Sequence, residues 1–320
     1  MKVFVVHKPT VSVIIPVKNE EQVISESLSS VFNQSLKPKE VIIVDGRSTD
    51  DTLKKASQFP VKIITESEPT SLPHGRNQGI ENAKGEIVFI MDADIILEEN
   101  CIANAIKYFD NPAVIGVIPT ESNIAHCRFE KIQIDWIRGS ANPIRSGIGI
   151  SVFAEFLRAP IFEKIKFDPN LGYMEDGDFQ KRLRKLHPGP GKIVQARDSL
   201  ISAHYSHTLN ELRTAYTWYG RTFRRYLQKD FSIKPILNLG SLLAPTILIL
   251  LIFLEIILPF FAPLSILLAL VAAFLVARNL MICYRTKSTH FLDFLAFEFI
   301  RSLFFSMGII QSFFSKKKGR

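Results

Sequence analysis

The chain has 320 residues, a net charge of +8, 47% hydrophobic residues and 22% charged ones. Its apolar content excludes a disordered chain, and 16 glycines and three scattered cysteines exclude collagen-like and disulfide-built architectures. Cys101, Cys127 and Cys283 show no C-x-x-C spacing, so no zinc ribbon is suggested and a reducing compartment fits the globular part.

Mean hydropathy is above zero, and the apolar residues are unevenly spread. Between Ile236 and Tyr284 the only charged residues are Glu255 and Arg278. The chain is therefore expected to divide into a globular part, 1–235, and an apolar part, 236–320. The first ten residues are too short and too polar for a signal peptide, so the globular part is expected to stay on the side where it is made.

In chain order, the pattern predicts a strand over Val11–Val17, a helix over 20–33 and a strand over 40–44. A helix over 50–59 and a strand over 61–65 follow, then a helix over 76–83 closed by Gly85. Next come a strand over 86–91, a helix over 98–109, a strand over 114–119, a helix over 179–186 and a strand-like stretch over 192–201. Strand–helix alternation with near-continuous apolar strands predicts an α/β fold with a mostly parallel, Rossmann-like sheet and right-handed crossovers.

Two apolar stretches, 241–261 and 264–284, each suit a hydrocarbon core of ~30 Å. Fifteen Leu, Ile or Phe lie between Leu242 and Phe261. At roughly −0.3 to −0.6 kcal/mol each, they outweigh one carboxylate, Glu255, at about +3 kcal/mol. Basic residues flank both ends of this block: Arg221, Arg224, Arg225, Lys229 and Lys234 before it, Arg285 and Lys287 after it. By the positive-inside rule these stretches form a transmembrane hairpin with both ends, and the globular part, on the cytoplasmic face of an integral membrane protein. The stretch 291–314 places Asp293, Glu298, Arg301 and Gln311 on one arc, which suggests a helix lying in the membrane interface.

In parallel sheets ligands bind at the carboxyl ends of the strands. Strand one ends at Lys18-Asn19-Glu20, strand two at Asp45-Gly46-Arg47-Ser48-Thr49-Asp50 and strand four at Asp92-Ala93-Asp94. Asp50 and Ser48 suit helix capping. Asp92 and Asp94 precede their helix by several residues, and two acids on one turn offer hard oxygen ligands to Mg²⁺ or Mn²⁺. Neither rival phosphate motif is present. Gly189-Pro190-Gly191-Lys192 is too short for a P-loop, and Gly147-Ile148-Gly149 lacks the third glycine of a dinucleotide fingerprint.

In order and spacing, several stretches resemble the catalytic domain of the family 2 glycosyltransferases, which have the GT-A fold. They are Pro16-Val17-Lys18-Asn19-Glu20, Glu40-Val41-Ile42-Ile43-Val44-Asp45, Ser48-Thr49-Asp50 and Gly75-Arg76-Asn77-Gln78-Gly79-Ile80. Ala83-Lys84-Gly85, Asp92-Ala93-Asp94 and Gly172-Tyr173-Met174-Glu175-Asp176 complete the set. The resemblance implies that Pro16, Glu20, Asp45, Arg76 and Asp92 line a nucleotide-sugar site, with Asp45 on the base. It implies a divalent cation, Mg²⁺ or Mn²⁺, on Asp94 and Asp92 with His204 beside them, and Asp176 as general base. Absence of the Q-x-x-R-W signature implies transfer of a single sugar. Lys18 stands where many relatives carry an aromatic residue, and Gly46-Arg47 where the family often has a second Asp and a Gly.

The expected activity is inverting transfer from a UDP- or GDP-linked sugar to a lipid-linked saccharide or glycolipid. Polyprenyl phosphate is the alternative acceptor, and a non-catalytic nucleotide-sugar sensor is the rival of another class. The positive charge gathers beside the apolar segments with few aromatic platforms, which suits anionic lipid and excludes a nucleic-acid partner.

Overall fold

A computed structural model describes residues 8–67, 71–122, 125, 127–140, 154–172, 174–189, 192–229, 233–257 and 262–314. Residues 1–7, Gly147 to Gly149, Tyr173, the turn about Pro259 and Lys316 to Lys318 lie outside the described residues.

The first half alternates as expected. β1 (Val11–Val17), α1 (Ile24–Phe32), β2 (Glu40–Asp45), α2 (Thr52–Ala56), β3 (Lys62–Thr65), α3 (Leu72–Asn82) and β4 (Ile87–Met91) follow in turn. β5 (Ile95–Leu97), α4 (Cys101–Lys107), β6 (Gly116–Glu121), α5 (Arg128–Ser140) and β7 (Ala154–Arg158) come next. Then follow α6 (Glu175–Leu186), β8 (Ile193–Ala203) and α7 (Leu209–Lys229). Three helices complete the chain: α8 (Ile233–Ile257), α9 (Ala262–Thr286) and α10 (Phe291–Phe314).

One eight-stranded sheet runs in the order β3-β2-β1-β4-β7-β6-β8-β5. β3, β2, β1 and β4 are parallel, whereas β7 runs antiparallel to both β4 and β6, and β5 antiparallel to β8. The sheet is mostly parallel, as expected, with β5 and β7 as its antiparallel members. β5 and β7 escaped the periodicity because β5 is three residues long and β7 carries Glu155 and Arg158. Glu155 is buried all the same, its carboxylate accepting from Gln180 Nε2.

Side chains alternate across the sheet with a period of two, so each strand feeds two cores. Val13, Ile15, Ile43, Phe89 and Phe156 face one core with Ile24 and Leu28 of α1 and Ile102 of α4. Ile14, Ile42, Val44 and Ile90 face the other with Phe179 and Leu183 of α6. α3 lies close against β1 because Gly79 has no side chain; a Cβ there would sit 2.3 Å from Ile14 Cγ2.

α7 ties the sheet domain to the apolar helices. Its Lys229 pairs with Asp168 at 2.7 Å and with Asp178 of α6 at 2.9 Å. On its other side α7 crosses α10 at backbone contact: a Cβ on Gly220 would lie 2.1 Å from Phe305 O, and one on Gly308 2.1 Å from Thr217 O. Among the described residues one helix segment, Ser265–Thr286, is long and apolar enough to cross a membrane, and Leu243–Leu254 is a shorter apolar stretch. The expected pair of spans is thus matched in length and apolarity by one. The polar arc expected on the surface of α10 is turned inward at Glu298 and Arg301, which are buried.

Candidate active site

Because β1, β2 and β4 are parallel, the residues that follow them gather at one edge of the sheet. Pro16 pairs with Val44 near the end of β1. The loops after β1 and β2 are stitched together: Asn19 N donates to Ser48 Oγ at 2.9 Å, Thr49 N to Asn19 Oδ1 at 2.8 Å and Glu20 N to Thr52 Oγ1 at 2.7 Å. The capping expected of Asp50 and Ser48 is not met: Asp51 stands at the N-cap of α2, Asp50 accepts from Thr52 N at 3.1 Å in the turn before it, and Ser48 serves the neighbouring loop. Asn19 and Arg47 both adopt left-handed backbone, with φ of 59° and 61°. Asp45 ends β2 at 1% exposure, its Oδ1 accepting from Ser48 N at 3.0 Å. Beside it Glu66 follows β3, its Oε1 lying 2.9 Å from His74 Nδ1.

Arg76 is the tie between distant parts of the chain. At 1% exposure it donates from one terminal nitrogen to Asp92 Oδ1 and from the other to Glu175 Oε1, each at 2.7 Å. It also lies over the Phe167 ring, 5.3 Å from its centre. Burial alone would lower its pKa, but Asp92 and Glu175 outweigh that and hold the guanidinium charged. Glu175 opens α6, so this pair brings the start of α6 to the strand-four turn.

Asp94 is a strongly perturbed acid. Burial, then the charges of Asp92, Glu20 and Glu121, push its pKa well above the ordinary aspartate value. Its Oδ1 is buried and, among the described residues, has no hydrogen-bond partner. Glu20 is pushed up to about 7 by burial and by Asp92 and Asp50. An orphaned carboxylate oxygen among acids that hinder one another's ionisation fits a divalent cation, which would supply the missing positive charge.

Asp176 stands second in α6, two residues after Met174, whose left-handed backbone (φ 62°) makes the turn into the helix. Its Oδ1 accepts from Gly177 N at 2.6 Å. Burial raises its pKa, Arg76 opposes the rise and Asp92 adds to it. Asp178, in the same first turn, is engaged by Arg182 at 2.7 Å and by Lys229. The helix opening therefore holds acids in distinct settings: Asp178 ties α6 to α7, while Glu175 and Asp176 turn toward Arg76.

His204 adjoins the strand-four turn through its backbone, its N donating to Asp94 O at 2.8 Å. Its Nε2 lies 3.2 Å from Glu26 Oε2. Together with Glu130 and His207 it forms a group whose ligand atoms lie within 4.8 Å of one another. The structure thus brings Arg76, Asp92, Asp94, Glu20 and Asp176 into mutual electrostatic reach, places Asp45 at the adjoining strand end and hands His204 other side-chain neighbours. Sequence reasoning missed Glu175 as the partner of Arg76, although its place beside Asp176 was a signal. It also missed Glu66 and Glu121, which carry no local motif.

The family model described as Glycosyl transferase family 2 matches residues 12–149. Over that stretch the chain is similar to the family 2 glycosyltransferases. A dolichyl N-acetyl-alpha-D-glucosaminyl phosphate 3-beta-D-2,3-diacetamido-2,3-dideoxy-beta-D-glucuronosyltransferase of Methanococcus voltae is 35% identical over 122 residues, 33% of this chain and 37% of that protein. A dolichol-phosphate mannosyltransferase of Pyrococcus furiosus is 34% identical over 113 residues, 33% of this chain and 32% of that protein. In both, the matched stretch is about a third of the relative's length. Among solved structures, mannosyltransferase PcManGT from Pyrobaculum calidifontis, in complex with GDP-Man and Mn²⁺, superposes with a TM-score of 0.59 at 20% identity. That superposition covers 97% of this chain and 89% of PcManGT, so it shows a shared GT-A fold that takes in the C-terminal helices.

Proposed function

We propose that this protein is a membrane-bound, metal-dependent, inverting glycosyltransferase that moves one sugar from a UDP- or GDP-linked donor to a lipid-linked saccharide or glycolipid. The observation that carries the reading is Arg76, which joins Asp92 after β4 to Glu175 at the head of α6 at 2.7 Å each. That tie supports reading Asp92 as a donor-side acid and Asp176, next to Glu175, as the base.

Asp45, with Pro16 and Glu20, would line the base and ribose side, and Arg76 would hold Asp92 in place. Asp94 and Asp92 would hold a divalent cation, with His204 adjoining them; when bound, the cation offsets the charge gathering on the departing diphosphate. Asp176 would take the proton of the acceptor hydroxyl. That oxygen bonds to the anomeric carbon from the face opposite the diphosphate, whose C–O bond breaks in the same displacement and inverts the centre. A raised carboxyl pKa makes Asp176 a stronger base than an exposed aspartate. The apolar segment Ser265–Thr286 and the basic residues flanking α8 and α9 support a membrane anchor that holds this site against the cytoplasmic leaflet.

Likeness to the Pyrococcus furiosus dolichol-phosphate mannosyltransferase favours a second reading, in which a polyprenyl phosphate is the nucleophile. Detergent-purified protein assayed on a nucleotide-sugar panel with and without Mn²⁺ tests the class. Release of one nucleoside diphosphate that needs metal and is lost in Asp94→Ala is the expected result. Nucleotide binding without turnover, even with native lipid extract added, would leave the sensor reading in its place. With extract present, Asp176→Asn should lower transfer about 10²–10⁴-fold if the acceptor is a hydroxyl. Near wild-type transfer by that variant would favour the phosphate.

A further inference from the structure

Between the sheet domain and the apolar helices lies a buried group of charges outside the site described above. Arg278 sits within the segment Ser265–Thr286, the last place where a charge is expected without a purpose. Its Nε pairs with Glu298 Oε1 at 3.1 Å. The same carboxylate accepts from Trp136 Nε1 and from Asn279 Nδ2, both at 3.0 Å. Glu298 is fully buried and its acceptor capacity is largely taken.

Arg301, one turn further along α10, is 4% exposed. Its guanidinium carbon lies 3.8 Å from the centre of the Trp136 ring and 6.0 Å from that of Tyr216. Its Nε is buried with no hydrogen-bond partner, and among the described residues no carboxylate pairs with it. The other acids of α5 are committed elsewhere, Glu130 to His207 at 2.8 Å and Asp135 to Lys131 at 3.0 Å. Arg301 is thus a buried guanidinium stacked on an indole, its Nε without a partner among the described residues. Stacking on an indole offsets only part of the cost of burying a cation, so the arrangement calls for a second anion.

The surroundings define that anion. Ile132 of α5, Leu212 of α7, Ile282 of α9 and Phe294 and Phe297 of α10 form one apolar cluster with Trp136, on whose ring both arginines lie. The outer face of α9 beyond them presents Leu270 and Phe274. A planar guanidinium fork matches phosphate oxygens, and an apolar rim matches a hydrocarbon chain.

On the glycosyltransferase reading, we infer that Arg301, with Arg278, forms a binding site for the phosphate ester of the lipid-linked acceptor, and that the reacting hydroxyl is carried on the saccharide beyond it. Tyr216 marks the site on α7, and Thr222 of the same helix touches Gly172, just ahead of Glu175 and Asp176. Six helical residues span about 9 Å, so the two places stand apart along α7. This placement favours a hydroxyl acceptor over a bare polyprenyl phosphate.

Trp136 is itself the reporter. The chain has two tryptophans, and Trp218→Phe leaves Trp136 alone. The full-length Trp218→Phe protein, in detergent with EDTA, is titrated with farnesyl diphosphate, farnesol and inorganic pyrophosphate while indole emission is followed. The expected result is a saturable change with farnesyl diphosphate, none with farnesol, and binding of pyrophosphate at least tenfold weaker. Arg301→Gln in the same background should weaken farnesyl diphosphate at least tenfold, and Arg301→Lys should recover part of the loss. Melting of both variants confirms that they are folded. No response from Trp136, or equal affinity in Arg301→Gln, overturns the site. Pyrophosphate binding as tightly as farnesyl diphosphate overturns the lipid acceptor and leaves a site for free phosphate. Because the titration contains neither sugar donor nor metal, its failure leaves the metal-dependent donor cleavage proposed above to stand or fall by itself.

Discussion

Glu20, Asp94 and Glu175 are carboxyls that folding makes harder to ionise. Burial comes first among the causes for each, and Glu20 and Glu175 are pushed up to about 7 from an ordinary value of 4.5. Between those limits the native protein holds protons that the unfolded chain has released. By linkage its stability is present at the acid side of that window and falls as pH rises through it. In EDTA the melting midpoint should therefore drop between about pH 5 and pH 7, at roughly 2–4 °C for each kcal/mol lost. On the proposed metal site, Mn²⁺ should restore it at neutral pH, since a cation there would take the place of the proton at Asp94. Asp94→Asn should melt higher than wild type without metal and gain nothing from Mn²⁺. A midpoint climbing with pH in EDTA would contradict this account. Asp45, Asp92 and Asp94 were legible in the sequence because each stands at or directly after a strand. Glu175 was not, since its role depends on Arg76, which lies 99 residues away.

At the scale of elements, the α7–α10 crossing decides how the two parts of the chain hold together. Helices approach this closely only where side chains are missing, and Gly220 and Gly308 meet the opposite backbone rather than a side chain that could move aside. Phe223 and Phe305 pack edge to face beside them, with ring centres 5.5 Å apart. Gly308→Leu must push the helices apart, at a cost on the order of 1–3 kcal/mol or more. Thermal unfolding in detergent should show that loss. Unchanged melting would mean that the crossing is looser than its geometry. The long helices and central strands were legible from apolar runs and spacing. α5 was not predicted: Glu130, Gln133 and Asp135 interrupt its apolar run, yet are buried, Gln133 against Ser206 and Glu130 against His207.

For the whole molecule, the apolar helices are part of the fold rather than a detachable tail. Leu212 and Phe223 on α7 are 1% and 2% exposed, and Phe294, Phe297 and Phe305 of α10 help to cover them. A chain ending at residue 232 should therefore aggregate or sediment without detergent, because α7 would turn that apolar face to water. Size-exclusion chromatography and sedimentation check this. A monodisperse, soluble fragment would show that α7 can stand without its cover.

Taken by itself, the sequence determined the strand–helix order of the first half, the acids at the strand ends, the apolar character of the C-terminal third and the family resemblance that joined them. These properties are local: each depends on a few neighbouring residues and the period in which they recur. Only the tertiary structure decided the antiparallel places of β5 and β7, the bridge from Asp92 through Arg76 to Glu175, and the orphaned oxygen of Asp94. It alone turned Glu298 and Arg301 inward, where a helical arc read by itself had placed them at the surface. The physical reason is common to all four. Strand pairing, ion pairing and burial depend on what the rest of the chain brings alongside, and sequence spacing does not carry that information.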